Sequence, residues 1–124
     1  MGNDLGHTLG RDGEQLAAEH LSRLGYEIVE RNYRTRWGEL DIVARQGRTL
    51  AFCEVKARRA GGSAGGPFEA VGRDKQTRVR KMATSWLLAH RDRPYANVIR
   101  FDAIGVTFDA AGRLLSLEHL EGAF

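Results

Sequence analysis

The amino-acid sequence predicts an α/β fold, one mixed β-sheet flanked by helices, with elements in the order α-β-β-β-α-β-β. Three observations predict it. Residues 38–59, GELDIVARQGRTLAFCEVKARR, read as two strands joined by a short turn, because apolar and polar residues alternate on either side of Gln46-Gly47. Residues 73–90 switch to a helical period, with Val79, Met82, Ala83, Trp86, Leu87 and His90 on one stripe. Alternation then returns over residues 97–107 and 114–120, separated by a turn at residues 109–112. No internal repeat or linker divides residues 1–124, so a single domain is expected.

Each element has its own signals. Residues 1–10 are polar, Gly-bearing and aperiodic, and are expected to be a flexible tail. Asp12 and Gln15 have the spacing of a capping box, Leu16, Ala17, Leu21 and Leu24 recur at helical spacing, and Gly25 is a natural stop. The first helix is therefore expected over residues 13–24, with Glu14 in its first turn, where a carboxylate favours the helix dipole. Residues 26–33 read as the first strand. In the second, Leu40, Ile42 and Ala44 are expected on one face and Glu39, Asp41 and Val43 on the other. In the third, Leu50, Phe52, Glu54 and Lys56 share a face. Residues 60–66 are small and Gly-rich, a flexible loop, and Pro94 closes the second helix region.

Composition narrows the class. A chain that is 42% hydrophobic and 28% charged is ordinary for a soluble globular domain. No apolar run approaches the roughly 18 residues that span a bilayer, and no signal-peptide pattern opens the chain, so a cytoplasmic protein without a membrane partner is expected. The single cysteine, Cys53, excludes an intrachain disulfide and a cysteine-based zinc site. His7, His20, His90 and His119 show no metal-ligand spacing, and neither a P-loop nor a dinucleotide fingerprint is present. Charge is distributed unevenly. Between Lys56 and Arg93, ten basic residues face only Glu69, Asp74 and Asp92, a local balance of +7 within a net charge of +3. Arg73, Lys75, Arg78, Arg80 and Lys81 crowd the N-terminal half of the second helix, where cations oppose the dipole. Phosphate contact would reward them, as would plain solvation of a helix face.

The candidate chemistry sits in the central hairpin. Glu54 and Lys56 project the same way from an apolar strand, and such charges are costly to desolvate unless paired or metal-bound. If the two strands pair through the Gln46-Gly47 turn, Asp41 comes close to Glu54. Two carboxylates with a backbone carbonyl and waters suit Mg²⁺ or Mn²⁺, which would polarise a phosphodiester and lower the pKa of a bound water. Lys56 would orient that water or stabilise charge on the phosphate, and Glu14 would add a carboxylate if the first helix packs on the sheet. Trp37 and Tyr33 flank Arg34 and Arg36, an arrangement that could stack on unpaired bases or simply pack in the core.

Asp41 followed by Glu54-Val55-Lys56 resembles the D…(D/E)-x-K signature of the PD-(D/E)XK nuclease superfamily, which includes Holliday junction resolvases and type II restriction enzymes. The resemblance is closer to the YraN family of bacterial proteins. It rests on Gly13-Glu14, Gly38-Glu39-Leu40-Asp41, Glu54-Val55-Lys56 with Arg58, Phe68 with Ala70-Val71, Lys75, and the stretch from Glu118-His119 to Ala123-Phe124. Leu40 stands where the superfamily often has proline. The resemblance implies a restriction endonuclease-like fold, with Asp41 and Glu54 as ligands of Mg²⁺ or Mn²⁺, Lys56 as the catalytic lysine and Glu14 as the helix carboxylate of the resolvase-like branch. Gln76 resembles a polar position that assists some sites of the superfamily. Arg58, Arg59, Arg73, Lys75, Arg78 and Lys81 are the expected nucleic-acid contacts, with DNA favoured over RNA. Resolvase-like relatives imply a homodimer by analogy.

Three functions fit these residues: a metal-dependent endonuclease acting on DNA, branched or repair structures included; a nucleic-acid-binding module that keeps the fold with little turnover; or an interaction protein whose charged strand end is merely paired. Divalent-metal-dependent cleavage separates the first two, and salt-sensitive nucleic-acid binding separates both from the third.

Overall fold

The computed structural model describes residues 5–61 and 72–124, with side chains from residue 9 onward. The element order is α1 (Leu5–Arg23), β1 (Glu27–Thr35), β2 (Gly38–Gln46), β3 (Thr49–Arg59), α2 (Arg73–Ala89), β4 (Val98–Phe108) and β5 (Leu114–Leu120). This is the predicted α-β-β-β-α-β-β order. The five strands lie in sequence order across one sheet; β3 and β4 pair in parallel and every other neighbouring pair is antiparallel. A parallel pair needs a crossover, and α2 lies in that connection. Among the described residues no helix is long and apolar enough to cross a membrane.

Two apolar cores lie on opposite faces of the sheet. Ala17, Ala18 and Leu21 of α1 pack on Ile42, Ala44, Ala51, Cys53, Ile104 and Val106. Val79, Met82, Ala83 and Trp86 of α2 pack on Leu40, Val43, Leu50 and Phe52. The central strands are thus buried on both faces, so near-continuous apolar runs replace clean alternation. Burial also pushes the Cys53 thiol up, leaving it a neutral packing group.

Three sequence expectations are corrected. Helix α1 starts at Leu5 and not at residue 13, so residues 5–10 are helical and form no tail. Leu9 packs on the core one turn before Gly13, which extends the helix past the Asp12–Gln15 box. Gln15 instead donates to Glu19 (3.0 Å) and accepts from Arg31 (2.9 Å). Glu14 therefore sits mid-helix, away from the amide dipoles that were expected to reward it. Leu24, expected in the stripe, is exposed. The expected stop holds: Gly25 takes φ +94°, and its N–H reaches Ser22 O while Tyr26 N–H reaches Leu21 O, closing a Schellman turn.

The third correction concerns β2. Leu40 and Val43 face α2, whereas Ile42 and Ala44 face α1, so Leu40 does not share a face with Ile42. The alternation breaks at Asp41. In the β1–β2 register, the pairs Arg31↔Ile42 and Tyr33↔Leu40 bracket Asn32 and Asp41, and Asn32 has φ +53°. Asn tolerates this left-handed conformation better than most residues. The predicted loop at residues 60–66 lies mostly outside the described residues, as do Phe68, Ala70 and Val71.

Candidate active site and nucleic-acid interface

The β2–β3 ladder runs from Gln46↔Thr49 to Ile42↔Cys53 and stops. One position further, Val55 N–H donates to Asp41 Oδ2 at 2.8 Å. A carboxylate thus takes a donor that a continuing ladder would give to a backbone carbonyl. The substitution ends strand pairing and holds an acid between the two strands.

Glu54 is the neighbouring acid, 9% exposed on a strand of apolar residues. Its Oε1 lies 2.7 Å from Lys75 Nζ, delivered by the first turn of α2. Glu14 reaches the same region from α1. Asn32 Nδ2 donates to Glu14 Oε1 (2.8 Å) and, more weakly, to Glu39 Oε1 (3.4 Å). Gly13 is what lets α1 come so close, because a Cβ built there would lie 2.7 Å from Ala57 Cβ.

Electrostatics set Asp41 apart. Burial, then Glu54 and more weakly Glu14, push its carboxyl up to about 8, against the Val55 N–H and the Lys75 ammonium, which pull it down. A buried carboxylate beside like charges resists ionisation until a cation arrives. The donor set is wholly oxygen, the chemistry that suits Mg²⁺ or Mn²⁺. Among the described residues no group of three or more His, Cys, Asp or Glu side chains forms a ready-made metal cluster. One or two carboxylates plus waters is nevertheless the usual arrangement for Mg²⁺.

The other predicted residues fall into four groups. Lys56 is exposed, and strand parity puts it on the Glu54 face. Arg73, Arg78 and Lys81 are exposed along α2, and Arg78 lines a cleft of about 190 Å³ with Glu54, Lys75, Trp37 and Glu39. Lys75, also expected to meet phosphate, pairs with Glu54 in this structure. Arg58 and Arg59 are half-buried at the far end of β3, and Arg59 Nη1 donates to Ala110 O at 3.3 Å. Asn32 was missed; the only signal in the sequence was an Asn interrupting a strand.

A second buried acid was missed as well. Asp102, fully buried on β4, accepts from Arg100 Nε and Nη2 (both 2.8 Å) and from Gly122 N–H (3.1 Å), and pairs with His119 Nε2 at 2.8 Å. Arg100 Nη2 also donates to Tyr26 Oη (2.6 Å), and His119 Nδ1 meets His20 Nε2 at 3.1 Å. Burial raises the Asp102 carboxyl, but the His119 and Arg100 hydrogen bonds outweigh it and hold it down at about 2. This network ties α1, Tyr26 just before β1, and the C-terminal segment to β4.

A five-stranded mixed sheet with a helix on each face, opening at a carboxylate pair, defines the class: an α/β domain of restriction endonuclease-like layout. The profile of Uncharacterised protein family UPF0102 matches residues 13–106, and the chain belongs to that family. It is 49% identical over 120 residues to a UPF0102 protein of Parafrankia sp. (strain EAN1pec), covering 97% of this chain and 98% of the relative. A UPF0102 protein of Frankia casuarinae is 45% identical over 118 residues, covering 94% and 96%. One from Acidothermus cellulolyticus is 55% identical over 83 residues, covering 67% and 62%.

Proposed function

We propose that the protein is a metal-dependent endonuclease that hydrolyses phosphodiester bonds in DNA, branched or repair structures included. One observation carries the reading. Asp41 and Glu54 come from different strands to the point where their ladder ends, and Asp41 is pushed up to about 8 there. In this reading Asp41 and Glu54 hold Mg²⁺ or Mn²⁺, which when bound supplies Lewis-acid polarisation of the phosphate and a more acidic water. Asn32 fixes Glu14 beside the pair. Lys56 faces the phosphate as a cation with no partner among the described residues. Arg78 and Lys81 position the DNA backbone from α2.

A second reading, a binding module with little turnover, is favoured by one contact. Lys75 already neutralises Glu54 at 2.7 Å, so a metal must compete with an ammonium for that carboxylate. The test is cleavage of labelled single-stranded, duplex, flapped and four-way-junction DNA with Mg²⁺, Mn²⁺ or chelator, beside Glu54→Ala. Metal-dependent cleavage by the wild type alone supports the nuclease. Salt-sensitive binding without cleavage supports the module, and cleavage by both proteins marks a contaminant.

A further inference from the structure

We infer that the β1–β2 hairpin tip carries a stacking site for an unpaired base, with Trp37 as its platform, so that the preferred substrate has a single-stranded arm. The inference rests on the nucleic-acid reading above and goes further by assigning the substrate class.

The tip is unusual. Two-residue hairpin turns favour Asn, Asp and Gly, yet Arg36 and Trp37 fill this one, followed by Gly38 at φ +129°. Thr35 makes the turn rigid. Its Oγ1 accepts from Trp37 N–H (3.1 Å) and donates to Gly38 O (3.0 Å). Within that turn the indole is held by packing against the α2-side core and by the Arg36 guanidinium before any ligand arrives, which lowers the ordering cost of binding.

Two grooves meet at this ring. One, of about 190 Å³, leads from Trp37 along Arg78 to Glu54 and Lys75. The other, shallow and of about 330 Å³, is lined by Trp37, Thr77, Arg80, Lys81 and Thr84. Trp37 thus links the candidate carboxylate site to a basic, hydroxyl-bearing helix face. Trp37 is half-buried and packs against the α2-side core, one of its two expected uses, but core packing alone does not account for the cations around its remaining surface. The Arg36 guanidinium already lies over the indole, 4.5 Å from the ring centroid, as a cation–π partner. A nucleobase uses the same kind of surface, and the flanking cations Arg36, Arg78 and Lys81 match the phosphates on either side of it. Along its length a double helix keeps its bases stacked internally and offers no such face, so the platform selects unpaired nucleotides over the interior of a duplex.

The intrinsic fluorescence of the protein supplies the test. The chain has two tryptophans, and Trp86 is buried between α2 and the sheet, so quenching by a stacked base reports on Trp37. Binding is measured in chelator, without cleavage, to a blunt duplex and to the same duplex carrying a single-stranded arm. The wild type is expected to prefer the armed duplex and to be quenched by it. Trp37→Ala is expected to lose that preference, with armed-duplex affinity falling about 5- to 100-fold, whereas Trp37→Phe keeps most of it. An unchanged preference in Trp37→Ala, equal wild-type affinity for both duplexes, or binding without quenching overturns the inference and leaves the nuclease reading standing. Absence of salt-sensitive binding to any of the DNAs overturns both. Should Trp37→Ala fail to fold, wild-type quenching and the Trp37→Phe preference decide.

Discussion

Gly13→Ala is the most informative single change, because two physical terms of opposite sign meet at one atom. Alanine in a helix interior is favoured over glycine by about 1 kcal/mol, so the substitution should stabilise α1 if nothing stands in the way. Something does. The new Cβ would lie 2.7 Å from Ala57 Cβ, with Ala57 Cα at 3.7 Å and Val106 Cβ at 3.8 Å. Carbon atoms pack best at about 3.5–4.0 Å, so α1 must retreat by roughly 1 Å. A gap of that size forfeits about a quarter to a half of each dispersion contact, here those that Ala17 and Leu21 make with the sheet. Overpacking of this kind costs about 1–3 kcal/mol, so after the helix gain of about 1 kcal/mol the net effect is a loss of up to about 2 kcal/mol. In thermal unfolding that is a fall of up to roughly 8 °C. Gly10→Ala is the matched control. Gly10 lies in the same helix with nothing within 4 Å of its added Cβ, so that change should be neutral to stabilising. The double variant Gly13→Ala/Ala57→Gly moves the methyl group across the interface and should recover part of the loss. If Gly13→Ala stabilises the protein as Gly10→Ala does, the close approach of α1 to β3 is wrong, and with it the placement of Glu14.

The site and the basic face give three more tests. Asp41 holds its proton in the folded protein up to about pH 8 but loses it near pH 4 when unfolded, so wild-type stability falls as pH rises through that window. Asp41→Asn cannot ionise and should out-stabilise the wild type increasingly from pH 4 to pH 8, by on the order of a few kcal/mol at the top; urea unfolding at several pH values checks this. Added Mg²⁺ or Mn²⁺ should raise the wild-type melting temperature most at the alkaline end and leave Asp41→Asn unmoved, and chelator should reverse the gain. Asp102 behaves oppositely: held down at about 2, its contribution is present above about pH 4 and lost as pH falls through 2. Asp102→Ala, which strands Arg100 beside a buried hole, should cost about 3–5 kcal/mol in denaturant titration at neutral pH. Arg78→Ala and Lys81→Ala should each weaken DNA binding across sequences and lower the slope of log affinity against log salt by about 1, read by fluorescence anisotropy.

The sequence carried the fold through periods and punctuation. Residues 114–120 and the start of α2 at Arg73 coincide with the observed elements, and Gly25 closes α1 as expected. Legibility failed where tertiary contact overrode a local signal. The Asp12–Gln15 box looked like a helix start, but Leu9 had core to cover and the helix ran through it. The face of Asp41 could not be read by alternation, because the alternation breaks at that residue, opposite a left-handed Asn32. For the candidate site, the spacing of Asp41 and Glu54 across the turn was enough to bring them together. The partner of Glu54 was not legible, since nothing in a run of helical cations says which one turns inward; it is Lys75, in the first turn of α2, that reaches Glu54. Asp102 was invisible for a similar reason: Arg100 lies two residues away on the same strand, but nothing in the sequence says that His119 and Gly122, 17 and 20 residues on, turn toward it.

The two acids of this sheet interior show why the candidate chemistry belongs at Asp41. Asp41 and Asp102 both lie within the sheet, and burial raises each of them. If burial alone governed, both would resist ionisation. Asp102 instead receives a bidentate guanidinium, an imidazole and a backbone amide, and it stays ionised near 2. Asp41 receives one backbone amide and faces Glu54 and Glu14, so it is pushed up to about 8. The fold therefore can compensate a buried carboxylate fully, and at Asp41 it does not. Lys75 cannot close the deficit, because its ammonium is committed to Glu54 at 2.7 Å. The uncompensated acid lies where the β2–β3 ladder ends, next to Glu54, which lines the groove to Trp37. Titratable groups perturbed in this way concentrate at functional sites, since an environment that disfavours a bare carboxylate favours a cation brought to it. Asp102 holds the fold together, and Asp41 is the acid left needing a cation.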